Sequence, residues 1–138
     1  MREVKVILDT NFIIEISKGT VAPSMIDEVL NAKYSLITTN SIIEELNEMS
    51  KHNDELSRIA RASLEIIRRL KIKVVPTDIA DGDESIVSLA KSLKSEDELV
   101  VVATLDKELQ RKLREAAIPY MSLRNRGKRL GLSWDLLL

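Results

Sequence analysis

A run of five apolar residues, Leu99–Ala103, constrains the fold more than any other part of this 138-residue sequence. Successive side chains of a β-strand point to opposite faces, so a strand that is apolar at every position has no face suited to water. Such a strand belongs in the middle of a sheet that is covered on both sides. The sequence therefore predicts a buried sheet between two layers of helices.

Other short apolar segments alternate with helix-like segments along the chain. Aliphatic and β-branched residues predict strands at Val4–Leu8, Tyr34–Thr38, Ile72–Val75, Leu99–Thr104 and Pro119–Leu123. Apolar residues at helical spacing predict helices over 23–32, 41–50, 54–70, 83–93 and 107–116. This alternation predicts an α/β fold with a mostly parallel sheet, in which ligands bind beyond the carboxyl ends of the strands.

Composition limits the chemistry that the chain can support. The length suits a single domain over residues 1–138, in which residues 124–138 form a basic and then apolar C-terminal extension. The sequence has no cysteine and one histidine, His52, which we expect in a surface loop; thiolate and multi-histidine metal sites are thereby excluded. No apolar run approaches the roughly 20 residues of a membrane span, so we expect a soluble, cytoplasmic protein.

Acidic residues follow two of the predicted strands and begin two of the predicted helices. Asp9 comes directly after the first strand, and Asp106 follows the strand at 99–104. The acids at the helix starts are Glu44, Glu45, Asp81, Asp83 and Glu84. Ser41 with Glu44, and Asp81 with Glu84, have the spacing of capping boxes. Capping stabilises each helix by about 1 kcal/mol, so it is a sufficient explanation of these residues.

Helical geometry separates the acids by the direction of their side chains. At about 100° per residue, Glu45 lies about 90° from the apolar stripe of its helix, whereas Glu44 lies about 170° away. Asp83 lies about 50–60° from its stripe, and Asp106 lies about 35° from its own. The inward set is therefore Asp9, Glu45, Asp83 and Asp106.

Carboxylates that turn toward one sheet edge lose water and repel one another, which is costly unless a cation neutralises them. With neither histidine nor cysteine among the ligands, oxygen donors select a hard ion such as Mg²⁺ or Mn²⁺. On the residues alone, such a metal site and a set of unrelated caps and surface acids remain equal alternatives.

Four acidic motifs, in this order, resemble those of the PIN-domain nucleases along nearly the whole chain. The motifs are Leu8-Asp9-Thr10-Asn11, Ile43-Glu44-Glu45-Leu46, Asp83-Glu84-Ser85-Ile86-Val87 and the residues 102–109 around Thr104 and Asp106. The resemblance implies a three-layer α/β/α, Rossmann-like fold with a sheet of four to five strands. Two positions have alternatives. The second acid is Glu45 or Glu44, and the third acid is Asp83 or Asp81; the spacing favours Asp83.

The resemblance also implies chemistry. Asp9, Glu45, Asp83 and Asp106 would be the catalytic residues that bind Mg²⁺ or Mn²⁺, and Asn11 and Thr104 would orient them through hydrogen bonds. The expected activity is metal-dependent endonucleolytic hydrolysis of RNA. Residues 117–124 resemble the last strand of the PIN subgroup related to ribosomal-RNA processing nucleases, which favours RNA processing and a ribosome-assembly partner. Toxins of toxin–antitoxin pairs share this length and fold, so a toxin with an antitoxin partner is the alternative.

A basic cluster follows the last predicted strand. Its members are Arg124, Arg126, Lys128 and Arg129. We expect these side chains to hold RNA phosphates near the acids, and a solvated tail is the competing interpretation. Trp134 and the apolar residues Leu130, Leu132 and Leu136–Leu138 could bury themselves in a partner, which favours a homodimer.

Two other classes of protein could place acids at strand ends. A receiver-type phosphorylation domain gathers acids around Mg²⁺, but here a single acid follows the first strand and no lysine lies in the expected place after the last. A non-catalytic PIN-like RNA-binding module is the other alternative. The presence of all four acids argues against it.

Overall fold

The computed structural model describes residues 2–124 and 126–134, and within these ranges the chain forms six strands and six helices. The strands are β1 (Val4–Leu8), β2 (Tyr34–Thr39), β3 (Lys73–Val75), β4 (Leu99–Ala103), β5 (Tyr120–Arg124) and β6 (Arg129–Leu132). The helices are α1 (Thr10–Ser17), α2 (Ser24–Leu30), α3 (Asn40–Met49), α4 (Glu55–Arg69), α5 (Gly82–Ser95) and α6 (Lys107–Glu115).

The strands form one sheet in the order β3-β2-β1-β4-β5-β6. All neighbouring pairs are parallel except β5 and β6, which form an antiparallel hairpin. The strand order reverses between β1 and β4, because β2 and β3 lie on one side of this pair and β5 lies on the other. The loops beyond β1 and β4 therefore flank the switch point, where open α/β sheets bind their ligands.

Strand β4 lies inside the sheet, as the apolar run predicted. Val101, Val102 and Ala103 are fully buried, and α5 packs against this strand. Right-handed crossovers require α1–α4 to cover one face and α5 and α6 to cover the other. Helix α4 contacts both α1 and α3, and α6 contacts α5; α5 also contacts α3 at the edge of the sheet, where Gly82 lies against Glu45. The α/β class with helices on both faces is confirmed.

The structure adds two elements that the sequence patterns do not predict. Helix α1 begins one residue after Asp9, where the pattern indicates only turn-forming and capping residues. Strand β6 lies within residues 124–138, which the sequence predicts to extend beyond the last strand, so the sheet has six strands rather than four to five. Leu130 is buried in the protein's own core and is thus not available to a partner.

The remaining C-terminal predictions fall partly outside the described residues. Leu136–Leu138 and Asn125 lie there, whereas Leu132 packs against the core and Trp134 is 40% exposed. His52 lies in the exposed turn between α3 and α4, as expected. No helix in the described ranges has the length and apolar character needed to cross a membrane.

Candidate active site

Asp9 is buried at the junction of β1 and β4, with 3% of its surface exposed. Parallel pairing of Leu8 with Ala103 sets Asp9 beside Thr104, the next residue of the neighbouring chain segment. The Thr104 hydroxyl donates a hydrogen bond to Asp9 Oδ2. Asp9 Oδ1 accepts from the backbone N–H of Phe12 at 2.8 Å and so caps α1. Both carboxylate oxygens are therefore fixed in direction.

Asp106 lies across from Asp9 and is held by the same threonine. Its backbone N–H donates to Thr104 Oγ1 at 3.1 Å. Asp106 Oδ1 caps α6 by accepting from the N–H groups of Glu108 at 2.8 Å and Leu109 at 3.1 Å. Within the described residues its Oδ2 accepts no hydrogen bond. Thr104 is therefore hydrogen-bonded to two of the predicted acids.

Helix α3 carries Glu45 toward the same edge. The hydroxyl of Thr10, in the first turn of α1, donates to Glu45 Oε2 at 3.1 Å. Gly82, the first residue of α5, lies against the same oxygen: a Cβ at this position would be 3.0 Å from Glu45 Oε2. The absence of a side chain at Gly82 thus allows α5 to approach the Glu45 carboxylate closely. Glu44 is exposed and makes no hydrogen bond in the described part of the chain.

The start of α5 separates the competing acids Asp81 and Asp83. Asp81 is exposed and caps the helix, accepting from the N–H of Glu84 at 2.9 Å. Asp83 is half-buried and lies near the charges of both Asp106 and Glu45. The geometry therefore favours Asp83 as the site acid.

The capping prediction for α3 is wrong in its register. Thr39, at the end of β2, is the N-cap and accepts from the N–H of Ile42, whereas Ser41 donates to the carbonyl of Ile79. The helix begins two residues earlier than a cap at Ser41 would require, because β2 runs directly into it.

Desolvation and mutual repulsion raise the pKa values of three of the acids. Burial, together with the charges of Asp83 and Asp106, raises the pKa of Asp9 to about 7, although the hydrogen bonds from Thr104 and Phe12 act to lower it. Burial and the charges of Asp83 and Asp81 raise the pKa of Glu45. Burial and the charge of Asp106 raise the pKa of Asp83, which the Lys112 ammonium partly opposes. These shared effects show that the acids border one region.

The carboxylate oxygens at this site are chemically suited to bind a divalent cation. Four carboxylates border this edge of the sheet, and none forms an ion pair with Lys or Arg within the described ranges. Oxygen ligands of this kind suit a hard ion. Across residues 2–124 and 126–134, however, no three acidic or histidine side chains stand close enough to ligate one ion as they are. Binding would require the carboxylates to turn toward the ion, which their repulsion opposes in its absence.

The other predicted site residues occupy different surroundings. Asn11 is exposed in the first turn of α1 and, in the part of the chain that the structure describes, makes no hydrogen bond to an acid; Thr10 makes that contact instead. Both residues that follow Asp9 are short and polar, so the motif alone could not distinguish them. Gly82 and Lys112 were also missed, since their contacts join distant elements.

The basic cluster forms the tip and flanks of the β5–β6 hairpin. Arg124 ends β5, Arg126 and Lys128 lie in the turn, and Arg129 begins β6. Strand β5 runs parallel to β4, so the hairpin lies at the same edge of the sheet as Asp106. Arg124 also donates to the carbonyl of Leu132 at 3.3 Å.

These features define an α/β protein that gathers carboxylates at the switch point of a mostly parallel sheet. A family model described as a PIN-like domain matches residues 6–126. The chain belongs to this family, which confirms the resemblance carried by the acidic motifs.

Individual relatives agree with this assignment. Ribonuclease VapC4 of Methanocaldococcus jannaschii is 35% identical over 124 residues, which span 88% of this chain and 92% of the relative. The structure of the PIN domain endonuclease Utp24 matches with a TM-score of 0.72 at 24% identity, covering 94% of this chain and 90% of the other. A domain of a functionally unknown M. jannaschii protein matches with a TM-score of 0.61 at 17% identity, covering 97% and 98%. The two structural matches show a shared fold.

Replacing Asp9 with Asn should stabilise the protein in chelator at neutral pH. A carboxyl whose pKa rises to about 7 on folding contributes stability below its ordinary pKa of 3.8, and this contribution is lost as pH rises through 7. Asn keeps the helix cap without the charge. Thermal unfolding in EDTA measures this. The free energy of unfolding of Asp9→Asn, relative to that of the wild type, should increase between pH 4 and 8, by on the order of 2 kcal/mol at the upper end.

Glu44→Gln, on the exposed side of α3, is the matched control and should follow the wild-type profile. Lower stability of Asp9→Asn throughout this pH range would contradict the prediction, because the hydrogen bonds to the carboxylate would then outweigh its desolvation.

Proposed function

We propose that this protein is a divalent-metal-dependent endoribonuclease that hydrolyses RNA phosphodiester bonds. The observation that carries the proposal is that four carboxylates from four separate segments border one edge of the sheet, where no Lys or Arg of the described chain forms an ion pair with them. The 35% identity to a ribonuclease over nearly the whole chain supports RNA as the substrate.

The shape of the site suits a polymer. A cavity of about 620 Å³, lined by residues of β2, β3 and α5, contains none of the four acids. Another, of about 400 Å³, borders Glu45 but not the other three. Glu45 is exposed, and Asp83 and Asp106 are half-buried, so three of the four carboxylates are accessible to solvent at this edge of the sheet. An extended phosphodiester backbone can reach such an edge.

The surroundings of each acid suggest its role in metal binding. We assign the principal Mg²⁺ or Mn²⁺ to Asp9 and Asp106, because Thr104 holds this pair together and leaves Asp106 Oδ2 unbonded in the described structure. Asp83 and Glu45 would ligate through water or hold a second ion. When bound, such an ion supplies an acidified water and stabilises negative charge on the phosphate.

The supporting residues fix direction. Thr104 and the start of α1 restrain Asp9, and Thr10 restrains Glu45. These hydrogen bonds limit the orientations of Asp9 and Glu45, which reduces the rotational freedom that is lost when the carboxylates turn toward a cation. We also propose the orienting role for Asn11 that the acidic motifs imply; in the described structure its side chain is exposed and makes no hydrogen bond to an acid.

The β5–β6 hairpin supplies the contact with RNA. Arg126, Lys128 and Arg129 form no ion pair within the described ranges, and they lie at the edge of the sheet that carries the acids. Together with Arg124 they offer four positive charges to phosphates that flank the scissile bond.

Two biological roles use this chemistry. RNA processing, with a ribosome-assembly partner, is the role that we propose from the C-terminal strand motif. A toxin paired with an antitoxin is the alternative, and the 35% identity to Ribonuclease VapC4 favours it. We also propose a cytoplasmic location and a homodimer.

Asp9→Asn and Asp106→Asn should each abolish metal-dependent cleavage while leaving the fold intact, because each removes a charged ligand and little volume. Incubation of structured RNA with Mn²⁺ or Mg²⁺, followed by gel analysis, measures this. Wild-type cleavage should stop in EDTA. Full activity in either variant would contradict the assignment, and RNA binding without cleavage by the wild type would favour a non-catalytic module.

Neutralising the hairpin should weaken RNA binding and reduce its salt dependence. The triple variant Arg126→Gln, Lys128→Gln and Arg129→Gln removes three charges. Each phosphate that the protein no longer neutralises lowers the slope of log affinity against log salt by about 0.7 for single strands. Binding of RNA at several salt concentrations in Ca²⁺ measures the slope. Arg58→Gln with Arg68→Gln, on the exposed face of α4, is the control. An unchanged slope would show that the hairpin does not contact RNA.

Expression in a host cell distinguishes the two roles. A toxin should arrest growth when it is produced alone, and Asp9→Asn should remove that effect because it removes hydrolysis. Growth that is identical with the active protein and with Asp9→Asn would support RNA processing.

A further inference from the structure

We propose that the ion pair between Lys112 and Glu84 positions the metal site by tying together the two helices that carry Asp83 and Asp106. Lys112 Nζ donates to Glu84 Oε1 at 3.0 Å. Lys112 lies in the last turn of α6, whose N-cap is Asp106, and Glu84 lies next to Asp83 in the first turn of α5. This inference rests on the proposed metal-dependent function.

The pair differs from every other ion pair in the described part of the chain. Seven of the eight ion pairs there join residues that are at most four positions apart. Lys112 and Glu84 are 28 positions apart and join two helices. The one pair that links separate elements therefore links the two elements whose N-termini hold predicted metal ligands.

Electrostatics explains why a tie is needed at this place. Asp83 and Asp106 repel each other, and this repulsion acts to separate the start of α5 from the start of α6. The two helices contact each other, and Lys94 of α5 donates to the carbonyl of Ala117 just after α6 at 2.7 Å. That second contact lies near the C-terminus of α5, so among the described ion pairs Lys112 is the cation that holds the start of α5, next to Asp83, against α6.

The exposure of the ion pair allows its effect on metal binding to be distinguished from its effect on the stability of the fold. The side chains of Lys112 and Glu84 are 30% and 55% exposed, and pairs this accessible to water contribute little to the free energy of folding. Metal affinity is more sensitive, since ligands must be held within about 0.5 Å of their working geometry. Loss of the tie should thus change metal binding much more than the melting temperature.

The direction of the effect distinguishes a tie from a simple charge. A lysine near a cation site repels the cation, so removing its charge alone should tighten metal binding. Removing a tie should weaken metal binding, because the carboxylates separate. Lys112→Met keeps the aliphatic stem and removes both the charge and the tie, so the sign of the change in affinity decides between them.

Titration of RNA-free protein with Mn²⁺, by calorimetry or by electron paramagnetic resonance, tests the inference. We expect Lys112→Met to lower Mn²⁺ affinity about tenfold, in the range found for residues that orient metal ligands. Its melting temperature in EDTA should stay close to that of the wild type. Lys112→Arg, which can still reach Glu84, should retain affinity within about twofold.

Two further variants complete the test. Lys91→Met removes a charge from the exposed face of α5 and should bind Mn²⁺ as the wild type does. The exchange Glu84→Lys with Lys112→Glu restores the tie with reversed charges and should recover part of the affinity that Lys112→Met loses.

If Lys112→Met binds Mn²⁺ as tightly as the wild type, or more tightly, the positioning role is overturned. The proposed function would still stand in that case if the wild type cleaves RNA with metal. A wild-type protein that binds no Mn²⁺ would overturn both.

Discussion

The site depends on burying the Asp9 carboxylate where β1 and β4 end side by side. Taking a carboxylate from water is costly, and here only the Thr104 hydroxyl and the Phe12 N–H offset the loss among the described residues. The charges of Asp83 and Asp106 add to the cost, so the pKa of Asp9 rises to about 7. Within the described residues no Lys or Arg forms an ion pair with Asp9, so the proposed metal ion would supply the positive charge that the carboxylate lacks.

Helix capping and metal binding are not competing explanations of the acids. Asp9 caps α1 and Asp106 caps α6, and in Asp106 a single oxygen serves the cap. Because a capping carboxylate lies at the start of its helix, and helices of a parallel sheet start at the carboxyl edge, capping also delivers acids to the switch point. The structural role thus places the side chains for the proposed catalytic one.

The same edge of the sheet combines opposite charges. The acids follow β1 and β4, while the basic hairpin follows β5, the next strand along. A phosphodiester backbone that bridges these two regions would have its phosphates on the basic hairpin and its scissile bond at the acids. The overall charge of −1 does not reveal this arrangement, since charges of the two signs nearly cancel in the sequence as a whole.

Sequence reasoning was most successful where a signal is local. Five strands, five helices and the buried position of β4 follow from hydrophobic periodicity, which depends only on neighbouring residues. Helix α1 was missed because its start was interpreted as a turn, and β6 was missed because Arg129-Leu130-Gly131-Leu132 is short and follows a basic segment. The Ser41 cap failed because the end of β2, and not local sequence preference, sets the start of α3.

The sequence by itself determined the fold class and the family, and it predicted which acids form the site, since periodicity and ordered motifs carry this information. Tertiary structure alone decided which atoms meet: Thr10 rather than Asn11 on Glu45, Gly82 against the same carboxylate, and Lys112 on Glu84. The reason is physical. Periodicity fixes which way a side chain points within its own element, whereas the contacts between elements depend on sheet order, register and crossing geometry, and these are set only when the whole core packs.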